Sequence, residues 1–182
     1  MSLYKDAERV LITKDRIEQR VEAVAQQISR DYQHKNPVFI CVLKGAVVFF
    51  SDLIKRLDIR MEAEFMTASS YRGTQSTGKV DITKALDCDI KGRHIVIVED
   101  IIDSGLTVKR IMQELEDKGA ASIKLCVLLD KPECRKTQVK ADYVGFEIPN
   151  VFVIGYGLDY EQQYRNMADI CVLKPSVYSP ES

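Results

Sequence analysis

Apolar residues along this chain follow two rhythms. From Lys14 to Tyr32 they stand at Ile17, Val21, Val24, Ile28 and Tyr32, steps of three and four that place them on one face of a helix, with Thr13 before the run as an N-cap. Val38 to Leu43 is then unbroken and apolar, as a strand covered on both faces should be; Lys44-Gly45 is the turn behind it, and Ala46 to Leu57 reads as the helix that crosses back. With Met61 to Ala68 these segments predict a βαβ unit. Ile95 to Val98, four β-branched residues without polar alternation, predict another strand buried on both faces. Val108, Ile111, Met112 and Leu115 then stripe a helix that ends at Lys118-Gly119, and Ile123 to Leu129 is the strand leading into Asp130-Lys131-Pro132. Beyond it the alternation gives way: Tyr143 to Ile148, a turn at Pro149-Asn150, and Val151 to Tyr156 read as a hairpin.

These elements predict an α/β fold with a parallel core over about residues 36–131. The N-terminal helix and the C-terminal β segments, about 1–35 and 142–175, are expected to pack as a small cap over the carboxyl edge of the sheet. At 182 residues the chain is expected to be one domain, 1–182, burying about 70% of its unfolded surface. Ser69 to Gly78 is polar and glycine-bearing, the composition of a binding loop or lid rather than of a plain connector.

Composition narrows the classes of function. A net charge of −1 with 29% charged residues gives no bulk attraction to nucleic acid or to a membrane surface, so neither is expected as a partner and any anion site must be local. The opening MSLYKDAERVLITKDR lacks a signal-peptide core and no apolar run approaches ~18 residues, which predicts a cytoplasmic protein. Cys41, Cys88, Cys126, Cys134 and Cys171 are an odd, scattered set without a Cys-x-x-Cys pair, and only His34 and His94 supply imidazole, so a disulfide framework, a zinc site or a histidine triad has little material.

The chemistry concentrates after Val98. Glu99-Asp100-Ile101-Ile102-Asp103-Ser104-Gly105-Leu106-Thr107 brings two adjacent carboxylates and a Ser/Gly/Thr turn to the carboxyl end of a buried strand, where open α/β sheets bind ligands. The turn and the helix start suit a phosphate dianion. Carboxylates beside a phosphate repel it unless they face donors or a cation: the vicinal hydroxyls of a ribose, or a hydrated Mg²⁺ shared with a diphosphate. A ribose carrying both phosphate and pyrophosphate meets all of these demands. A bland alternative is a strand-to-helix turn with capping hydroxyls, which needs fewer polar residues. Gly73 to Val80 imitates a Walker A loop, but Val80 stands where the Mg²⁺-binding hydroxyl belongs, and Gly155-Tyr156-Gly157 lacks the third glycine of a dinucleotide fingerprint.

A hydrophobic strand followed by Glu-Asp-x-x-Asp-Ser-Gly-x-Thr resembles the phosphoribosyl-diphosphate (PRPP) motif of type I phosphoribosyltransferases, which implies a parallel, Rossmann-like core. The resemblance runs from about residue 8 to 175 through Val42-Leu43-Lys44-Gly45, Ser69-Ser70-Tyr71, Leu128-Leu129-Asp130-Lys131, Phe146-Glu147-Ile148-Pro149, Gly155 to Tyr160 and Arg165, and it is to the branch acting on 6-oxopurines. It implies transfer of a phosphoribosyl group from PRPP to hypoxanthine or guanine, with Mg²⁺ as cofactor and a homodimer or homotetramer as the assembly. The same fold also serves other bases, and PRPP-sensing regulators that bind nucleic acid without catalysis are a further alternative.

Position by position, the resemblance implies PRPP contacts at Lys44, Gly45, Glu99, Asp100, Asp103, Ser104, Gly105, Leu106, Thr107 and Arg165, with Glu99, Asp100 and Asp159 toward metal. Asp103 is the implied general base, a role compatible with its place as an acid at a helix N-terminus. Lys131 is implied to donate to the exocyclic oxygen of the base; by pattern alone it is a strand-end lysine. Phe152 is implied to stack on the purine and Val153 to bond its edge through the backbone, whereas pattern alone puts Phe152 in a core. For Asp159 and Arg165 the bland reading is a surface ion pair. Ser70 and Tyr71 are the implied lid, and the Lys44-Gly45 peptide is implied to be cis. Val151 departs from the polar residue common in relatives.

Overall fold

In the computed structural model, which describes residues 3–70, 80–84, 86 and 88–179, the apolar runs become strands of one large sheet. In chain order, a short 3-10 turn leads into β1 (Ala7–Ile12), α1 (Lys14–Asp31), β2 (Val38–Leu43), α2 (Val47–Ile54), β3 (Glu62–Ser70), β4 (Val80–Lys84) and β5 (His94–Ile102). Then come α3 (Leu106–Asp117), β6 (Ser122–Asp130), a 3-10 turn at Pro132–Cys134, β7 (Tyr143–Glu147), β8 (Val153–Ile154), β9 (Ile170–Leu173) and the single turn α4 (Pro175–Tyr178).

The sheet runs β4-β3-β2-β5-β6-β7. Five strands are parallel, and β4 lies antiparallel on the β3 edge. Successive strand residues point to opposite faces, and both faces are filled. Phe39, Cys41, Val96, Val98, Cys126 and Leu128 join α1 and α2 in one core. Their neighbours Val38, Ile40, Ile95, Ile97, Leu125 and Val127 join α3 in another. Covering both faces is why these strands carry no polar alternation.

Three expectations need correcting. First, α1 is not part of a cap: Ile17, Val21, Val24, Ala25 and Ile28 are buried in the same core as α2 and the main sheet. Second, β7 and β8 form no hairpin. β7 pairs parallel with β6, so the large sheet extends past residue 131, while β8 pairs with β9 in a small antiparallel sheet ordered β1-β9-β8. Tyr143 and Gly145 are buried on the flank of β6, and burial there won over the nearby turn signal at Pro149. Third, β5 does not stop at Val98 but runs on through both acids to Ile102, held along its far side by β6.

The small sheet has its own core of Ile154, Tyr164, Met167, Cys171 and Leu173. It is tied to α1 through Asp169, whose carboxylate accepts from the Lys14 backbone N–H at 2.7 Å. That bond satisfies one donor the first helical turn leaves open, and the Thr13 hydroxyl makes no capping bond.

Between β2 and β5 the connections leave in opposite directions, β2 onward to β3 and β5 onward to β6. The β2–β5 pairing ends at Cys41 and Val98 while β5 continues four residues further, to Ile102. A crevice opens at this switch point, at the carboxyl ends of the strands, where ligands bind in such sheets.

Candidate active site

The crevice is a cavity of about 290 Å³ whose lining includes Lys44, Gly45, Glu99, Asp100, Asp103, Ser104, Gly105, Thr107, Asp159 and Arg165. Neighbouring strand residues should face apart, yet both acids reach it. The Glu99 carboxylate accepts from the Asp100 backbone N–H at 3.3 Å, and the Asp100 carboxylate accepts from the Ile101 N–H at 2.7 Å, so each side chain folds back along its own strand. Burial, and after it the neighbouring Asp100 charge, pushes the Glu99 carboxyl well above the usual range. Burial also raises Asp100, against the opposing pull of its hydrogen bonds and of the Arg165 guanidinium.

Gly45 sits directly against this pair. An added Cβ there would overlap Asp100 Oδ2, so only glycine leaves the carboxylate in place. The peptide Leu43-Lys44 is cis. The unusual bond therefore lies one residue earlier than the expected Lys44-Gly45 peptide; outside proline, residue types carry no signal that would place it.

Arg165 closes the opposite side. It donates to the Gly157 carbonyl at 2.6 Å and pairs with Asp159 at 2.8 Å, and Asp159 accepts from the Gln162 N–H at 2.8 Å. Gln162 Oε1 receives long bonds of 3.4 Å from both Lys44 and Arg165, which draws the two cations together over the acids. Glu161, Gln162 and Tyr164 all have positive φ, an arrangement non-glycine residues adopt only where their surroundings hold them.

At the end of β5, Gly105 caps α3 with φ of 80°. The Ser104 hydroxyl accepts from the Leu106 N–H at 3.4 Å, and the helix start offers further N–H groups without intrahelical partners. Leu106 itself is 40% exposed and, unlike Thr107, does not line the cavity.

Three more predicted residues lie outside the lining. Lys131 directly follows β6, its backbone N–H bonded to the Ile102 carbonyl at 3.0 Å. It is the one buried charged residue among those described, 7% exposed. Phe152 is 36% exposed rather than core, stacked on Tyr178 at 5.1 Å between ring centres and edge-on to Tyr160 at 5.7 Å. Val153 is buried and pairs with Val172. Ser70 is the last residue of β3, and Tyr71 lies outside the described residues.

A phosphoribosyl transferase domain model matches residues 11–161. The chain belongs to the phosphoribosyltransferase family. Within that family it is 49% identical over 174 residues to a hypoxanthine-guanine phosphoribosyltransferase of Bacillus subtilis, covering 95% of this chain and 97% of that protein. A solved hypoxanthine phosphoribosyltransferase from Staphylococcus aureus superposes with a TM-score of 0.94 at 44% identity, over 97% of each chain. The chain is also 44% identical over 179 residues to a bifunctional protein TilS/HprT of Listeria monocytogenes, where it covers 98% of its own length but spans only 28% of that protein.

Several residues of this phosphoribosyltransferase site carry no signal in the sequence. Gln162 lies in a polar run with nothing to mark it. Cys134 looks like a stray cysteine, yet its thiol is raised by desolvation and then by a hydrogen bond with the Asp103 carboxylate. Gly157 lies in the Gly155 to Tyr160 run that carries the resemblance, but its packing does not show in the sequence: φ is 97°, and an added Cβ would overlap the Gly45 carbonyl.

Proposed function

We propose that this chain transfers the 5-phosphoribosyl group of PRPP to N9 of hypoxanthine or guanine, giving IMP or GMP and pyrophosphate. The observation that carries the reading is the adjacent Glu99 and Asp100 carboxylates and the Asp103–Thr107 turn around one crevice, with the buried Lys131 bonded through its backbone to Ile102 of the lining.

In this reading the turn from Asp103 to Thr107 receives the 5′-phosphate through backbone N–H groups and hydroxyls. Glu99 and Asp100 accept from the ribose hydroxyls. As the bond from C1′ to pyrophosphate breaks, positive charge grows on the sugar and negative charge on the leaving group. The first is stabilised by the acids beneath, the second by Arg165 and the amides of the Lys44-Gly45 turn. N9 of the base forms the new bond to C1′, and Asp103 takes the proton the purine releases at N7. Lys131 has three donors and no acceptor, so it suits a 6-oxo group and leaves a 6-amino group unmatched. Phe152 stacks on the base and the Val153 backbone meets its edge. Closure of a lid at Ser70-Tyr71 excludes water.

The donor set fits Mg²⁺. Two crowded carboxylates, both raised toward the neutral form, are stabilised by a hard cation, and Asp159 stands across the crevice. Among the described residues no group of three or more His, Cys, Asp or Glu side chains that could hold a metal ion is found. Bound there, Mg²⁺ would neutralise leaving-group charge. The same reading makes the chain one catalytic domain of a cytoplasmic homodimer or homotetramer, which light scattering tests.

A base screen with PRPP, run with and without Mg²⁺, tests the proposal. IMP and GMP should form only with the metal present, and adenine and uracil should not react. Preferential turnover of adenine or uracil would remove the role given to Lys131.

A further inference from the structure

Behind the turn from Asp103 to Gly105 lies a second layer, made by residues 130–139, that the sequence motif does not include. Arg135 is its centre. Its side chain is 13% exposed and its planar fork reaches three separate groups. Nε donates to the Asp103 carbonyl at 3.2 Å, one terminal nitrogen donates to the Val139 carbonyl at 2.8 Å, and the other pairs with the Asp130 carboxylate. Asp130 is the last residue of β6, is itself 14% exposed, and immediately precedes Lys131. One guanidinium therefore spans the backbone of the residue assigned the proton transfer and the strand end that presents the residue assigned to the 6-oxo group. The next two residues continue the layer. The Lys136 N–H donates to the Ser104 carbonyl at 2.9 Å, and the Thr137 hydroxyl reaches the same oxygen at 3.5 Å.

We propose that Arg135 is a positioning residue for the transfer, fixing the Asp103 backbone relative to Lys131 so that the carboxylate and the ammonium meet N7 and the 6-oxo group side by side on one edge of the purine. The proposal rests on the roles given to Asp103 and Lys131 above. A lysine cannot replace Arg135. An ammonium satisfies Asp130 but lacks the rigid fork that bonds two carbonyls at the same time. Because Lys136 and Thr137 hold Ser104 independently, loss of Arg135 acts on the proton transfer more than on phosphate binding. Misplacement by about 1 Å is enough to cost up to ~10²-fold in rate.

The test is a kinetic cycle on the intact protein with Arg135→Gln, Arg135→Lys, Asp103→Asn and the double variant Asp103→Asn/Arg135→Gln, together with PRPP binding by calorimetry. Arg135→Gln should lower kcat about tenfold or more while the Kd for PRPP changes less than about threefold. Arg135→Lys, which keeps the charge against Asp130, should fold even if the glutamine variant does not, and should show the same kcat loss. Arg135→Gln placed on Asp103→Asn should slow the reaction little further, because both act through one proton transfer. Wild-type kcat in Arg135→Lys, or a full multiplicative loss in the double variant, overturns the positioning role while leaving the function standing. An Asp103→Asn variant as fast as wild type removes the base assignment, and Arg135 with it.

Discussion

Glu99 carries the sharpest conflict in the molecule, because the charged carboxylate that the proposed ribose binding calls for is one the fold disfavours. Its carboxyl is raised by burial and by Asp100. Below the ordinary glutamate range of about 4.3 both the folded and unfolded chains hold the proton, and no penalty exists. As pH rises the unfolded chain releases its proton first, so the folded state loses relative stability until its own raised pKa is passed. Glu99→Gln keeps the acceptor for the Asp100 N–H and removes the charge. The variant without ligand should therefore melt higher than wild type at pH 7, by on the order of a few degrees, with the gap closing toward pH 4, while binding PRPP poorly. Calorimetry across that range checks it; a lower melting point at pH 7 contradicts it. Asp103→Asn should cut turnover about 10²-fold with PRPP affinity nearly kept, read by steady-state rates beside binding titrations. Lys131→Met should raise KM for hypoxanthine at least tenfold and leave KM for PRPP nearly alone; equal loss for both points to a misfolded site.

Elements explain which parts of the site could be read from residue order. Ile95 to Thr107 was legible because a doubly buried strand has a period of its own and the turn after it needs a particular mixture of carboxylates, hydroxyls and glycine. What lay beyond one element was not legible. Pairing between β6 and β7 is a long-range choice, and the local signal at Pro149-Asn150 argued for a hairpin instead. Strand β4 follows residues outside the described set, and its pairing with β3 makes an antiparallel edge that the βαβ pattern did not suggest. The layer from Arg135 to Val139 faces the Asp103–Thr107 turn, with 32 positions between Arg135 and Asp103. Its effect can be measured at Gly105, where φ is 80° and an added Cβ would overlap the Thr137 hydroxyl. Gly105→Ala should cost about 1–2 kcal/mol from the left-handed backbone alone, more from the clash. Adding Thr137→Ala should recover only the second part, as urea denaturation would show.

Across the whole molecule, three layers built on unbroken strands hold a crevice at the point where β2 and β5 part, and the segment between β8 and β9 brings Asp159 and Arg165 into its lining. The match over 97% of a solved relative at a TM-score of 0.94 follows from that layering; substrate choice follows from a few side chains set on it. The most direct test is a crystal structure with PRPP and Mg²⁺ bound. The ribose hydroxyls should lie on Glu99 and Asp100, with the 5′-phosphate in the turn from Asp103 to Thr107 and the diphosphate between Lys44-Gly45 and Arg165. Density for PRPP elsewhere, or a crevice without ligand at saturating PRPP, would contradict the account.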